Sequence, residues 1–228
     1  MSERFYLNCS LAAGRVVLQG AEAHHLATVC RVRAGQQVYL FNGDGCQYQA
    51  AVVAVARRTV ELDILARQEV NRELPFQLVM AAPLPKGDRT RFLVEKLTEL
   101  GVSCFVPLRT RRSVVEPSDS RCDKLERYVI EASKQCGRNV LMRIEKPVDW
   151  LDWCRRPGLP ERRILAQPGA PPLAWTAGTD VACAVGPEGG FTEDERDAAR
   201  AAGWQCIGLG ERILRVETAA ILLACRAQ

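Results

Sequence analysis

A chain of 228 residues, 47% hydrophobic and 25% charged with a net charge of +4, can bury one large core or two smaller ones, and this composition excludes a disordered or fibrous protein. The basic excess is too small to imply nucleic acid by itself and permits it only where arginine clusters, as in "RTRRS" from Arg109 to Ser113. Ten cysteines, no two closer than fourteen residues, leave no CxxC metal or redox motif, and no apolar run approaches the length of a membrane span, so a cytoplasmic protein with free thiols, no metal and no membrane partner is expected.

From Phe5 to about Ala66 short β-type runs alternate with turn residues: "RFYLN", "RVVLQG", "QQVYLFNGDG", "CQYQAAVVAVA" and "TVELDIL". The pattern predicts a small β-barrel or sheet. "NGDG" at Asn42 to Gly45 is its hairpin signal, since Asn and Gly tolerate the positive φ of tight turns. "GAEAHHLATVC" interrupts the rhythm with a helical segment carrying Leu26 and Val29. The charged stretch from Arg67 to Pro75 marks a boundary, giving one domain over residues 1–70 and a second over 75–228.

Beyond Pro75 strands and helices alternate. "FQLVMAA" reads as a buried strand, followed by a helix with Phe92, Leu93, Lys96, Leu97 and Leu100 along one side and Gly101 at its end. "SCFVPL" is the next strand, and Asp119 or Ser120 can cap a helix in which Leu125, Val129 and Ala132 recur at helical spacing. "RIEKP", "RRILAQP" and "DVACAVG" are further strands, and helices follow over Glu193 to Ala202 and Val216 to Arg226. This alternation predicts an α/β domain with a largely parallel sheet covered on both faces.

Three glycine- or proline-rich loops follow strands of this domain: "AQPGAPP", "GPEGG" and "GLGERILR". In open α/β sheets ligands sit beyond the carboxyl ends of the strands, where such loops leave the sheet. Thr192 and Glu195 form a capping box that starts a helix just past Gly190, so a ligand there would meet both free amides and a helix N-terminus. Neither GxxxxGK[ST] nor GxGxxG is present, which disfavours a phosphate-cradling nucleotide site.

"VGPEGGFTEDE" (Val185 to Glu195) and "LGERILRVETAA" (Leu209 to Ala220) resemble the two C-terminal signature loops of the 16S ribosomal RNA uridine N3-methyltransferases, a branch of the SPOUT methyltransferases. "HHLATVCRVRAG" from His24, "KGDRTRFLVEKLTELGV" from Lys86 and "EASKQCGR" from Glu131 match in order, so the resemblance spans nearly the whole chain; Val216 departs from it, standing where Thr is common. The resemblance implies a PUA-like RNA-binding barrel, then a SPOUT-type parallel sheet whose C-terminal segment is threaded into a trefoil knot. It further implies S-adenosylmethionine as cofactor, 16S ribosomal RNA in the assembled small subunit as partner, and a homodimer. The cofactor residues it implies are Ala166, Gln167 and Pro168 on one wall, Gly186, Pro187, Glu188, Gly189 and Gly190 on the second, and Leu209, Gly210, Ile213 and Leu214 opposite.

Since a sulfonium already activates its methyl group, the protein's task is placement and removal of the proton on N3 of uracil. Arg215 is the expected stabiliser of the uridinate oxygen and Glu217 the expected proton acceptor; the competing reading makes both a helix-start ion pair. His24 and His25, adjacent on a helix, point about 100° apart and cannot chelate one ion. His25, Arg31, Lys86, Arg89 and Arg138 are the expected RNA contacts. Two other readings remain open: a SPOUT enzyme with a different target, at ribose 2'-O or on tRNA, and a non-catalytic RNA-binding assembly factor.

Overall fold

The computed structural model describes residues 3–12, 14–56, 58–116, 119–172 and 178–228. They form two compact units, Met1–Glu73 with Ser133–Leu141, and Leu74–Ala132 with Met142–Gln228.

In the first unit β1 (Arg4–Tyr6), β2 (Gly14–Gln19), β3 (Gln37–Phe41), β4 (Cys46–Val55) and β5 (Thr59–Glu69) make one sheet in the order β1-β3-β4-β5-β2. Only β1 and β3 pair in parallel. The period-two alternation of each strand turns Val38, Leu40, Val52, Val60 and Leu62 inward, where they pack with Phe5, Leu18 and Leu26. Between β2 and β3 the helical segment is not one regular helix. α1 (Gly20–His24) runs into a π-helical turn over His25–Val29, and Arg31 follows with φ 52°, the left-handed region that a non-glycine residue seldom enters.

Ser133–Leu141 belongs to this unit although it is far from it in sequence, and polar side chains hold it there. Arg4 donates from Nη2 to Asn139 Oδ1 at 2.8 Å, and Asn139 donates to the Val70 carbonyl at 2.9 Å. Arg138 is 3% exposed, and its guanidinium donates from Nε to both oxygens of Glu73 at 3.1 Å. The expectation of an RNA contact at Arg138 is therefore corrected: a guanidinium buried against its own carboxylate presents no face to a phosphate.

The second unit contains β6 (Leu78–Ala82), α2 (Arg89–Glu99), β7 (Cys104–Arg109), most of α3 (Asp119–Cys136), β8 (Arg143–Ile144), β9 (Val148–Asp149), α4 (Trp150–Trp153), β10 (Arg162–Ala166), β11 (Val181–Val185), α5 (Glu193–Ala201), β12 (Gln205–Ile207) and α6 (Val216–Ala227). Its strands run β12-β10-β11-β6-β7-β8, with β9 also on β7, and every pairing is parallel. The central strands are apolar from end to end, as a sheet covered on both faces requires: β6 and β11 are buried at every residue. On α2 the buried stripe is Leu93, Val94, Leu97 and Thr98, whereas Phe92, expected on that stripe, is 47% exposed. Trp150, Trp153, Trp204 and Phe191 pack together beside the sheet, with the Trp150 and Phe191 rings 4.6 Å apart.

Candidate cofactor site

Strands β12, β10 and β11 are neighbours and parallel, so the loops that leave their carboxyl ends, distant in sequence, meet at one edge of the sheet. The first and third are bonded together. The Gln167 amide donates to the Ile207 carbonyl at 2.8 Å and the Gly208 amide to the Pro171 carbonyl at 2.9 Å. The approach is so close that a Cβ at Gly208 would stand 2.1 Å from the Ala170 carbonyl oxygen. Glycine is required there by space rather than by φ.

The middle loop is shaped from below and from the side. Phe191 lies beneath it, and a Cβ at Gly186 would meet that ring at 2.9 Å. Gly190, with φ 67°, donates to the Pro187 carbonyl at 2.8 Å and closes the turn. The predicted capping box then starts α5: Glu195 N–H donates to Thr192 Oγ1, and Thr192 N–H donates to Glu195 Oε2 at 2.7 Å. The buried Glu195 carboxylate has a second task, accepting from the Arg111 amide at 2.9 Å through Oε1. Arg112 donates from Nη1 to the Gly189 carbonyl at 2.6 Å. The arginine-rich stretch after β7 thus braces the middle loop from outside, a role that its charge alone did not announce.

The three loops line one cavity of about 80 Å³ that is open to solvent. Ala166, Gln167, Pro168, Gly186, Pro187, Glu188, Gly190, Leu209, Gly210, Ile213 and Leu214 all line it. Gly189 does not: a Cβ there would meet the Arg112 side chain at 3.2 Å, so its missing side chain would face the brace. Val185, Phe191, Arg212 and Ala219 complete the lining; all four lie within the two signature stretches but were not among the expected cofactor residues. Glu188 is the carboxylate among the lining residues. Beneath the cavity, burial pushes the Cys183 thiol on β11 up to about 12, which keeps it neutral and no nucleophile.

Arg215 is the N-cap residue of α6 and exposed, with no ion-pair partner among the described residues. Glu217, in the first turn of α6, is only 5% exposed and does not line the cavity; its Oε1 lies 3.6 Å from Arg89 Nη1, and its Oε2 is buried without a hydrogen-bond partner. The helix-start ion pair between Arg215 and Glu217 is therefore not formed. Arg89, expected on RNA, stands instead between Glu217 and Glu188, whose Oε1 is 3.7 Å away. Lys86 is exposed in the loop after β6, and in the first unit His25 and Arg31 are exposed on the π-helical turn and just after it.

The "RNA methyltransferase domain" model matches residues 72–228, and the "RNA methyltransferase PUA domain" model matches residues 18–65. Ribosomal RNA small subunit methyltransferase E of Bacillus subtilis is 31% identical over 217 residues, 89% of this chain and 85% of its own length. The chain belongs to the ribosomal RNA small subunit methyltransferase E family, within the SPOUT methyltransferases. The family member of Neisseria gonorrhoeae, solved bound to S-adenosyl methionine, superposes with a TM-score of 0.89 at 30% identity, over 99% of this chain and 96% of that one. A Legionella pneumophila methyltransferase solved in complex with SAM gives a TM-score of 0.91 at 31% identity over the same shares of both chains. Among the described residues no helix is long and apolar enough to cross a membrane, and no three His, Cys, Asp or Glu side chains gather as a metal site.

Proposed function

We propose that this chain transfers the methyl group of S-adenosylmethionine to N3 of a uridine in 16S ribosomal RNA of the small subunit. The observation that carries the reading is the convergence of three strand-end loops on one cavity whose walls suit that cofactor. Leu209, Ile213, Leu214 and Phe191 offer apolar surface to an adenine and a thioether chain, the glycine-rich turn brings backbone within reach of polar groups, and Glu188 gives the cationic end a counter-charge.

The bound cofactor supplies an electrophilic methyl group on sulfur; the rest falls to the protein and the RNA. On losing its proton, uracil N3 would use the freed electron pair to accept that methyl group, with the demethylated thioether as the leaving group. Arg215, exposed at the start of α6, stabilises the negative charge that spreads to the uracil oxygens as N3 loses its proton. Glu217, expected as the proton acceptor, is only 5% exposed and does not line the cavity, so the N3 proton passes to solvent water at the open mouth of the cavity while Glu188 keeps its charge for the cofactor. Lys86 in the second unit, and His25 and Arg31 in the first, supply phosphate contacts, and the working form is a homodimer in the cytoplasm. Incubating the protein with labelled S-adenosylmethionine and methyl-deficient small subunits, then mapping the modified base, tests the reading: label on a ribose, on another base or nowhere refutes it.

A further inference from the structure

Arg89, the first residue of α2, stands between two carboxylates that belong to different elements. Its Nη1 is 3.7 Å from Glu188 Oε1 on the cavity wall and 3.6 Å from Glu217 Oε1 in the first turn of α6. Both distances exceed a hydrogen bond, so charge holds the three groups together and neither carboxylate has captured the guanidinium. The two ends differ in kind. Glu217 is buried on a packed helix, its Oε2 has no hydrogen-bond partner, and Arg89 is the cation paired with it among the described residues. Removing that cation would leave a buried charge alone, which is the costly direction. Glu188 is the exposed end, its side chain 45% accessible on a loop.

We propose that Arg89 is a positioning residue that transmits the fixed place of Glu217 to the cofactor loop through Glu188, so that Glu217 controls cofactor affinity without touching the cofactor. The inference rests on the reading of the cavity as the S-adenosylmethionine site. It also gives Arg89 a task distinct from phosphate binding, because a guanidinium shared by two carboxylates of its own chain has little charge left for RNA.

Positioning and simple charge predict opposite signs. If Arg89 acted only as a positive charge near a cationic ligand, its removal would tighten binding; if it holds the loop, its removal weakens binding. Calorimetric titration of S-adenosylmethionine into the full chain and its variants decides between them. Arg89→Gln and Glu217→Gln are each expected to weaken binding about three- to tenfold, and the double variant to be no weaker than Arg89→Gln, because coupled residues in contact do not act additively. Arg89→Lys, a point charge without the planar fork, recovers part of the loss. Tighter binding in Arg89→Gln, wild-type affinity in Glu217→Gln or additive losses in the double variant each overturn the proposal. Should Glu217→Gln not fold, the pair with Glu188 decides instead: Arg89→Gln must cost nothing further in a Glu188→Gln background, and a further loss there overturns it. Absence of binding by the wild-type chain refutes the cofactor reading itself, whereas wild-type binding with an additive cycle refutes the coupling alone.

Discussion

Replacing Gly208 by alanine tests whether the loops after β10 and β12 close the cavity as one wall. The new Cβ would stand 2.1 Å from the Ala170 carbonyl oxygen, where a carbon–oxygen contact needs about 3.3 Å, so one of the two chain segments must retreat by roughly 1 Å. Backbone faces backbone at this point, and no flexible side chain can absorb the shift. The retreat breaks the bond from the Gly208 amide to the Pro171 carbonyl, 2.9 Å long, and displaces Leu209 and Gly210 on the cavity wall. Overpacking costs about 1–3 kcal/mol and the lost hydrogen bond about 0.5–1.5 kcal/mol, together about 1.5–4.5 kcal/mol of local stability, and where that cost falls on the cavity wall the affinity drops about tenfold or more. Calorimetry of S-adenosylmethionine binding, with a melting curve on the same preparation, measures both halves of the effect. Gly189→Ala is the matched control. Its Cβ meets the exposed Arg112 side chain at 3.2 Å, which can move, so binding should fall by less than about threefold. Gly208→Ala binding within threefold of wild type, or Gly189→Ala as damaging as Gly208→Ala, would refute this account of which glycine the site requires.

Arg215→Ala should lower single-turnover methylation by about 100-fold while cofactor affinity stays near wild type, because charge on the uracil appears only as N3 loses its proton; unchanged turnover in folded protein ends its assignment. Arg138→Ala should cost about 3 kcal/mol in a urea unfolding curve by leaving Glu73 unpaired; lost RNA affinity at unchanged stability would return Arg138 to the RNA contacts. The Cys183 thiol, raised by burial from 9.0 to about 12, holds its proton more tightly folded than unfolded, so its contribution to stability is intact below about pH 9 and declines as pH rises towards 12. Thiol reagents near neutral pH should accordingly label the exposed Cys9 and Cys225 and spare Cys183, which mass spectrometry of the folded protein checks. Ile213 is 84% exposed on the cofactor loop, and if a second copy covers it, light scattering should show a dimer that Ile213→Asp converts to monomer.

The strand-end loops were legible because each rests on local chemistry. A capping box fixes a helix start within four residues, and glycine beside proline fixes a turn, so the stretch from Gly186 to Glu195 could be placed before any fold was known. That the three loops meet could be expected from strand-end geometry, but their adjacency depends on the order β12-β10-β11, which no local pattern encodes. The same limit explains Phe92: helical period identifies an apolar side, but only the packing of α2 decides that Val94 lies inside and Phe92 out.

Charged residues were the least legible, since a side chain's type gives its charge and not its partner. Arg89, Arg112 and Arg138 read alike as basic residues in a protein that resembles an RNA enzyme, yet each is spent within its own chain: Arg112 on the Gly189 carbonyl, Arg138 on the buried Glu73 pair, and Arg89 on two carboxylates at once. The partners lie 77, 65 and, for the two carboxylates of Arg89, 99 and 128 positions away, distances over which sequence pattern carries no information about contact. Arginine suits such posts because its fork can bond a carbonyl or a carboxylate while its stem packs. In a fold that gathers its site from distant loops, some of the basic residues near the site must fix those loops to one another before any remain to meet RNA, and counting arginines there overstates the nucleic-acid surface.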